Sequence, residues 1–543
     1  MSRPACDRPW FPAALSVLAL ALSGCSWYRA TFVKLPAASF DLHTVEPMDP
    51  AAMPRAEATP APTPTAPPLG PPPAELTLTI EECRAAAITN NLRIQSVLVG
   101  PAIASDQISE EEARFEAVFQ SSVAYSETDT PVTTETGTQA HRLESKTGVS
   151  MPLRTGGTLN FNLADARTHS FAGDNGLDPT YDSSASVSFS QPLLRNAGRR
   201  TNTHAIRLAV YGQQIAQTST RLEIIRVLAA VDRVYWRLYA SRCVLQVRRQ
   251  DYDLAQSQLE TARRLVDAGE RSSVEVLRAE SALASRLEGI ITAEVTLRDR
   301  QRELKQAIHR TDLPQDSVTV ILPGTEPDPA HYRFDAASLM AQASRNRMEL
   351  LELELELAQS DSTVEYLRNQ LLPLVMLDYA YNVNGLGDSR RESYDLLDSR
   401  RFADHRAGIS LLVPLGNGAA ESRLRQALLS RQQKLRTKAE SEALIEQEVL
   451  MACDNLEAAW QRILANRQSV LLAQRLLEAE RRQYELGINT SNDVLIAQAK
   501  LADAQSAEIQ ALAEHQIALV DTAYATGTVL GAAKLRWQEA AAP

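Results

Sequence analysis

Apolar residues recur at steps of four and three along two long stretches of the chain. Ile224, Leu228, Val231, Tyr235 and Leu238 form one series, and Ile445, Val449, Ala452, Leu456, Ala459 and Ile463 form the other. This is the spacing of a seam between packed helices. No proline interrupts the chain between Pro192 and Pro314, or between Pro414 and Pro543, so both stretches predict helix almost throughout. A helix from about Arg199 to Ala268 would hold about 70 residues and extend roughly 105 Å at 1.5 Å per residue. Such a rod cannot be enclosed by a globular core and must pack on rods like itself. Ala229-Ala230 and Ala458-Ala459 supply small side chains for close approach. Near the start of each long helix the period changes to two. Phe119, Ser121, Val123 and Tyr125 share one face of a strand, as do Leu159, Phe161 and Leu163, then Val187 and Phe189. The second half offers Leu374 to Val383 and Ala407 to Val413. Loops rich in Asp, Gly, Ser and Arg are predicted at Thr128 to Arg142, Thr168 to Thr180 and Asn384 to Arg401.

The pattern is written twice. Arg263-Arg264-Leu265-Val266-Asp267-Ala268-Gly269, running on to Val276-Leu277, aligns with Arg481-Arg482-Gln483-Tyr484-Glu485-Leu486-Gly487, running on to Val494-Leu495, at a constant offset of 218 residues. Ser188 to Leu193 aligns with Ser410 to Leu415, and Phe115 to Phe119 with Leu371 to Val375. Each half therefore reads helix, strands, long helix, turn, helix. The first half is longer by about thirty residues between Tyr125 and Tyr181. That insertion holds a candidate hairpin, Thr147 to Leu153 and Thr158 to Ala166 around Arg154-Thr155-Gly156-Gly157. Its pattern leaves open whether it joins the other strands or folds apart from them.

The N-terminus carries a different signal. Arg3 and Arg8 precede an apolar run from Ala13 to Leu22 that is too short to span a bilayer and reads as an export signal over residues 1–24. Leu22-Ser23-Gly24-Cys25 resembles the lipobox of bacterial lipoproteins, which implies an acylated Cys25 and, with Ser26 after it, an outer-membrane address. Pro47 to Pro73 is mostly Pro, Ala and Thr, an extended spacer without a core. The expected layout is a lipidated linker over 25–74, repeats over 75–313 and 335–531, a connector over 314–334 and a tail over 532–543. No apolar run of 18 or more residues follows the signal. A closed β-barrel is the remaining way to cross a bilayer, and a few strands per chain close a water-filled one only in an oligomer.

Charge and composition narrow the function. The formal charge of −11 argues against a nucleic-acid partner. Cys6, Cys25, Cys83, Cys243 and Cys453 are scattered, with neither a disulfide framework nor metal-ligand spacing. The chain lacks Walker A, Gly-x-Ser-x-Gly, His-Glu-x-x-His and Cys-x-x-Cys motifs, so no catalysis, metal or cofactor is expected. The turns after the long helices are the most informative short segments. Gly269 and Gly487 stand where left-handed helix caps are needed, and Ser272-x-x-Glu275 and Thr490-x-x-Asp493 read as capping boxes that start the next helices.

The duplication, the strand pairs feeding long helices and the Gly-centred turns together resemble the TolC family of bacterial outer-membrane efflux and secretion channels, over about Leu76 to Gly531. The resemblance implies a mainly α fold with a β-barrel part. Three protomers would each give four strands to one outer-membrane barrel, continued by a periplasmic helical barrel. It also implies an adaptor protein and an inner-membrane transporter as partners. Glu275 and Asp493 fall on the family's acidic aperture positions, and Tyr484 matches another aperture residue. Gly269, Glu270, Gly487, Ile488 and Asn489 lie in the turns that meet the adaptor. Two features depart from the pattern. Asn489 stands where some members carry an Arg that bonds the neighbouring turn's acid, and Glu270-Arg271 replaces the usual apolar residue. Efflux is the leading expectation. Type I protein secretion and a non-conducting, lipid-anchored scaffold are the alternatives.

Overall fold

The computed structural model describes residues 75–130, 138–170 and 178–532. The expected signal segment, Cys25, the Pro-rich spacer and nearly all of the expected C-terminal tail lie outside the described residues.

Two hairpins of helices dominate. In the first half, α1 (Ile80–Asn90), α2 (Leu92–Ala113) and the short α3 (Arg199–Asn202) precede α4 (His204–Asp267) and α5 (Ser273–Ile308). In the second, α6 (Ala336–Asn346) and α7 (Met348–Gln370) precede α9 (Gly418–Glu485), α10 (Ser491–Ala525) and α11 (Val529–Ala532), with α8 (Arg390–Asp398) in the loop between two strands. The rods are nearly as long as the proline-free stretches predict: α4 holds 64 residues and α9 holds 68, roughly 96 and 102 Å. The first starts later than expected, because Asn202 turns its amide back onto the Asn196 and Gly198 carbonyls and the helix breaks at Thr203. Every residue of both predicted seams is buried. Of the small pairs, only Ala229 and Ala459 are buried, while Ala230 and Ala458 face outward.

The helices form a wall one layer deep. Towards the turns, α10 packs between α9 and α4, and α5 packs beyond α4; towards the strands, α7 lies between α9 and α4, and α2 beyond α4. The largest core cluster among the described residues surrounds Tyr235, Leu228, Val231 and Leu238 of α4, against Cys83, Ile308 and Ile321. There β1 (Glu75–Leu78) and β6 (Val320–Pro323) pair in parallel, and the Tyr235 hydroxyl donates to the Leu78 carbonyl and accepts from the Thr325 N–H. At the edges of the wall the pattern reverses. Large exposed apolar side chains gather on α9 (Leu429, Leu444, Met451, Leu471, Leu472) and on the opposite edge formed by α2 and α5 (Val99, Ile103, Leu277, Ile291, Val295). Central α4 and α10 expose one each, Leu254 and Ile496. Among the described residues no helix is long and apolar enough to cross a membrane.

The strands form one antiparallel sheet of β2 (Val118–Thr130), β3 (Thr138–Pro152), β4 (Thr158–Ser170), β5 (Thr180–Pro192), β7 (Leu374–Gly387) and β8 (Ala403–Leu412), in that order. The insertion is thereby resolved. The candidate hairpin is β3–β4, longer than its pattern suggested, and it lies inside the sheet. The expected four strands per chain become six. The register sorts residues cleanly: Phe119, Val149, Phe161, Val187 and Tyr381 lie in one cross-strand row, and Gln120, Gly148, Asn162, Ser186 and Asn382 in the next. One face is thus apolar and the other polar, as alternation requires of a wall between lipid and water. The loop expected at Asn384 to Arg401 instead contains α8. It folds over the outer end of the apolar face, where the Ser393 hydroxyl donates to Ser183 and to the Gly385 carbonyl, and Arg390 pairs with Asp165 at 2.7 Å.

Candidate functional site

The two hairpin turns sit side by side, and both are built from glycine. After α4, Gly269 adopts φ +79°, with Glu270 N–H bonded to the Leu265 carbonyl and Gly269 N–H to that of Val266. After α9, Gly487 adopts φ +76°, with Ile488 N–H bonded to the Gln483 carbonyl and Gly487 N–H to that of Tyr484. These bonds satisfy helix-end carbonyls that would otherwise be orphaned, and the left-handed residue is where a Cβ costs about 1–2 kcal/mol.

The helices restart differently. At α10 the predicted capping box forms: Asp493 Oδ2 accepts from the Thr490 N–H at 3.0 Å and from its hydroxyl at 2.7 Å. The hydroxyl and the N–H hold this carboxyl below the usual aspartate range. At α5 the predicted box does not form. Ser272 Oγ accepts from the Val274 N–H at 3.4 Å, but Glu275 does not return to the Ser272 backbone. It points into the protein, 9% exposed, with Oε2 lacking any hydrogen-bond partner and Oε1 3.9 Å from Arg271 Nη1. The reason is rotational: the third position of α5 faces the end of α9 rather than solvent, so the carboxylate is packed before it can fold back.

Arg271 organises this contact. Its guanidinium lies 5.3 Å from the Tyr484 ring centroid and donates to the Tyr484 carbonyl at 3.4 Å. It therefore neutralises the negative end of α9, covers an aromatic face and stands beside Glu275, three favourable placements for one cation. Tyr484 is 7% exposed among Leu265, Leu477, Val494 and Ala497. Burial first, and the Glu275 charge second, push its phenol up. Below this contact, Gln258 of α4 donates to Ser491, and Arg286 of α5 bonds the Leu495 carbonyl at 2.7 Å and Asp251 at 3.3 Å. The two hairpins are tied together along their last turns.

The remaining sequence-derived candidates divide. Glu275 and Tyr484 come together, whereas Asp493 caps its own helix. Asn489 bonds Glu480 and Gln483 on its own hairpin, and the link between the turns comes from Arg271 instead. Glu270 and Ile488 are exposed, Ile488 by 71%, beside exposed Leu486, Val274 and Leu277. In the sequence Arg271 stands out only as a departure from the family pattern, because a contact to a residue 213 positions away leaves no local trace. The site offers charge, ring and backbone, arranged to hold two helix ends together. Among the described residues no group of His, Cys, Asp and Glu is placed to hold a metal. The described cysteines are free, and burial pushes the Cys83 thiol up to about 12.

Comparison with known proteins agrees with this geometry. Outer membrane protein TolC of Vibrio cholerae serotype O1 is 22% identical over 351 residues, covering 64% of this chain and 77% of that protein. The pyoverdine export outer membrane protein OpmQ of Pseudomonas aeruginosa is 24% identical over 364 residues, covering 62% and 70%. Among solved structures, the outer-membrane channel OprN matches with a TM-score of 0.61 at 15% identity, covering 83% of this chain and 90% of that one. The CmeC outer membrane channel of Campylobacter jejuni also matches at 0.61, at 14% identity, covering 83% and 85%. The family model for outer membrane efflux proteins matches residues 157–309 and 339–528, one segment for each long hairpin. Those segments span more than half of the sequence, and the chain belongs to the outer membrane efflux protein family.

Proposed function

We propose that three copies of this chain form a passive exit duct, the outer-membrane channel of a tripartite efflux system. An inner-membrane transporter would supply the energy, and a periplasmic adaptor would join it to the helix tips. The observation that carries this reading is the pair of unfinished edges. The wall exposes apolar side chains on α9 and on α2 and α5 but keeps its centre sealed. The sheet ends in β2 and β8, whose described residues are exposed from Val118 to Asp129 and from Ala403 to Leu412. Unpaired strand edges and apolar stripes of this length are covered in a stable protein, and here they are complementary edges of one layer. Repeating the unit around an axis covers both and leaves a hollow, which the polar sheet face would line and the apolar face would separate from lipid.

In this reading Arg271, Glu275 and Tyr484 hold neighbouring hairpins together at the closed tip, and Asp493 places a carboxylate beside them. The exposed Val274, Leu277, Leu486 and Ile488 around Gly269 and Gly487 offer the adaptor an apolar landing surface. Acylation of Cys25 would fasten the chain to the outer membrane without crossing it. The purified protein in detergent is expected to have the mass of a trimer and, in planar bilayers, to conduct. A monomer, or a trimer that never conducts even with tip residues replaced, would favour the lipid-anchored scaffold.

A further inference from the structure

The extra hairpin sets a dimension. We propose that the trimer closes a barrel of eighteen strands, so that the membrane section is a wide mouth for bulky water-soluble cargo and size selection falls to the helix tips. This rests on the trimeric duct.

Three observations place β3 and β4 in the barrel wall. First, they are paired along their length on both sides: β3 with β2 from Pro-proximal Ser150 to Thr138, β4 with β5 from Thr158 to Thr168. Within the chain β2 is joined to the rest of the sheet through β3 and β4, which stand between it and β5. Secondly, they continue both faces, with Val149 and Phe161 in the apolar row and Asn160 beside Ser150 and Ser188 in a polar one. A hairpin folding outside the wall would have no reason to keep that alternation in step with four other strands. Thirdly, its lower turn is clamped to the base of the sheet. Gly156 adopts φ +93°, and a Cβ there would stand 2.3 Å from the Asn196 carbonyl oxygen. Thr155 exchanges bonds with Gln191 through its hydroxyl and its carbonyl, and that carbonyl also accepts from the Gly198 N–H. Arg154 reaches Glu112 at 3.5 Å and the Phe115 ring at 5.9 Å. The turn is held between the end of α2 and the start of the α3–α4 segment, where the wall changes from sheet to helix.

Six strands from each of three copies make eighteen. With strands about 4.8 Å apart and tilted about 40°, the backbone radius is roughly 18 Å, against roughly 12 Å for twelve strands. Allowing about 5 Å for side chains, half the spacing of packed sheets, leaves a bore of roughly 13 Å radius rather than roughly 7 Å. The α8 helix does not fill it: Asp165, Ser183 and Gly385, which it contacts, lie in a mostly polar row on the same face as Phe161 and Leu163, further along the strands from the helices, and so on the outside of the bore.

The test uses the full-length trimer in intact outer membranes. Ser188→Cys, on the polar face of β5, is treated from outside with maleimide-linked polyethylene glycols of graded size, against the parent chain as background. Labelling by polymers of about 10 Å radius is expected, whereas a cut-off near 7 Å in a confirmed trimer would overturn the eighteen-stranded bore. Asn160→Cys and Phe161→Cys, adjacent on β4, are expected to separate, the first reacting with a charged aqueous reagent and the second only with a bilayer-dissolved one. Equal aqueous labelling of both would place the hairpin outside the wall. Failure to form a trimer would overturn the duct itself, a result distinguishable from either.

Discussion

The turns after α4 and α9 share a backbone and differ in everything attached to it. Both reverse through a left-handed glycine, and both place an acid at the third residue of the next helix. In the second turn that acid stays local, accepting two bonds from Thr490. In the first it is turned inward beside Arg271 and Tyr484 of the other hairpin. Duplication therefore preserved the device that reverses the chain and released the side chains on it. One turn became a self-contained cap, and the other became the contact by which two hairpins hold each other. The pair thus separates what a turn needs in order to fold from what it adds in order to bind its neighbour.

The largest effect is expected at Arg271. Arg271→Ala removes the cation from the Tyr484 carbonyl and ring and leaves a nearly buried Glu275 carboxylate without its neighbour. Breaking a fully buried pair costs about 3–5 kcal/mol, and at 3.9 Å with some exposure about 2 kcal/mol is expected here. If this contact holds the tip shut, single-channel conductance should rise several-fold in planar bilayers. Adding Glu275→Gln should restore stability without restoring closure, because the neutral amide needs no cation but cannot recruit one. Wild-type conductance in Arg271→Ala would reduce the first turn to the same self-contained role as the second.

The acids provide the next comparison. Asp493→Asn should cost about 1 kcal/mol, the usual worth of a helix cap, with faster hydrogen exchange confined to the start of α10. Glu275→Gln should leave exchange at the start of α5 unchanged, because Ser272 already accepts from Val274. Matching exchange in both variants would mean that the acids act alike after all. Replacing the glycines should show no such asymmetry. A Cβ at Gly269 meets nothing within 4 Å, and one at Gly487 meets only Arg271 Nη2 at 3.8 Å, so Gly269→Ala and Gly487→Ala should each cost about 1 kcal/mol from backbone strain alone. Unequal losses in thermal unfolding would expose a packing role for one of them.

The same contrast explains what could be read without coordinates. The rods, their seams and the reversing glycines follow from spacing, proline and backbone conformation along consecutive residues, and Ile224 to Leu238 and Ile445 to Ile463 are buried as their steps require. Alternation likewise marked Thr147 to Leu153 and Thr158 to Ala166 as strands. It carries no information on which strand lies beside them, so their place between β2 and β5 was open. The box at Thr490 and Asp493 was legible because its partners are three residues apart. The pattern at Ser272 and Glu275 predicts a box that does not form, because the direction in which the start of α5 faces is decided by α9, more than two hundred residues later. For the same reason the sequence of α8 reads as loop: Ser393 is fixed by Ser183 and Gly385, which its own short sequence does not announce.

The smallest effect is a difference in pH response. Asp493 has its carboxyl held below the usual range, so its bonds to Thr490 contribute stability above the unfolded value near pH 4, and that contribution is lost as pH falls through the folded value. Tyr484 has its phenol pushed up, so the contribution of its neutral form is complete below the unfolded value near pH 10 and is lost as pH rises through the folded value. Acid should therefore loosen the second turn and base the first, with neither changing between about pH 5 and 9. Thermal unfolding of the wild type against Asp493→Asn should converge below pH 4, because protonation removes what the substitution removes. Difference absorbance between wild type and Tyr484→Phe should place one tyrosine's ionisation above the ordinary range. Restoring solvent to that ring through Arg271→Ala has two opposed consequences: loss of the cation raises the value, and exposure lowers it. Burial is the larger of the two causes in the intact protein, so the ionisation should move down towards the ordinary range as the tip opens. Movement upward would mean that the ring stays buried and the hairpins remain in contact without Arg271.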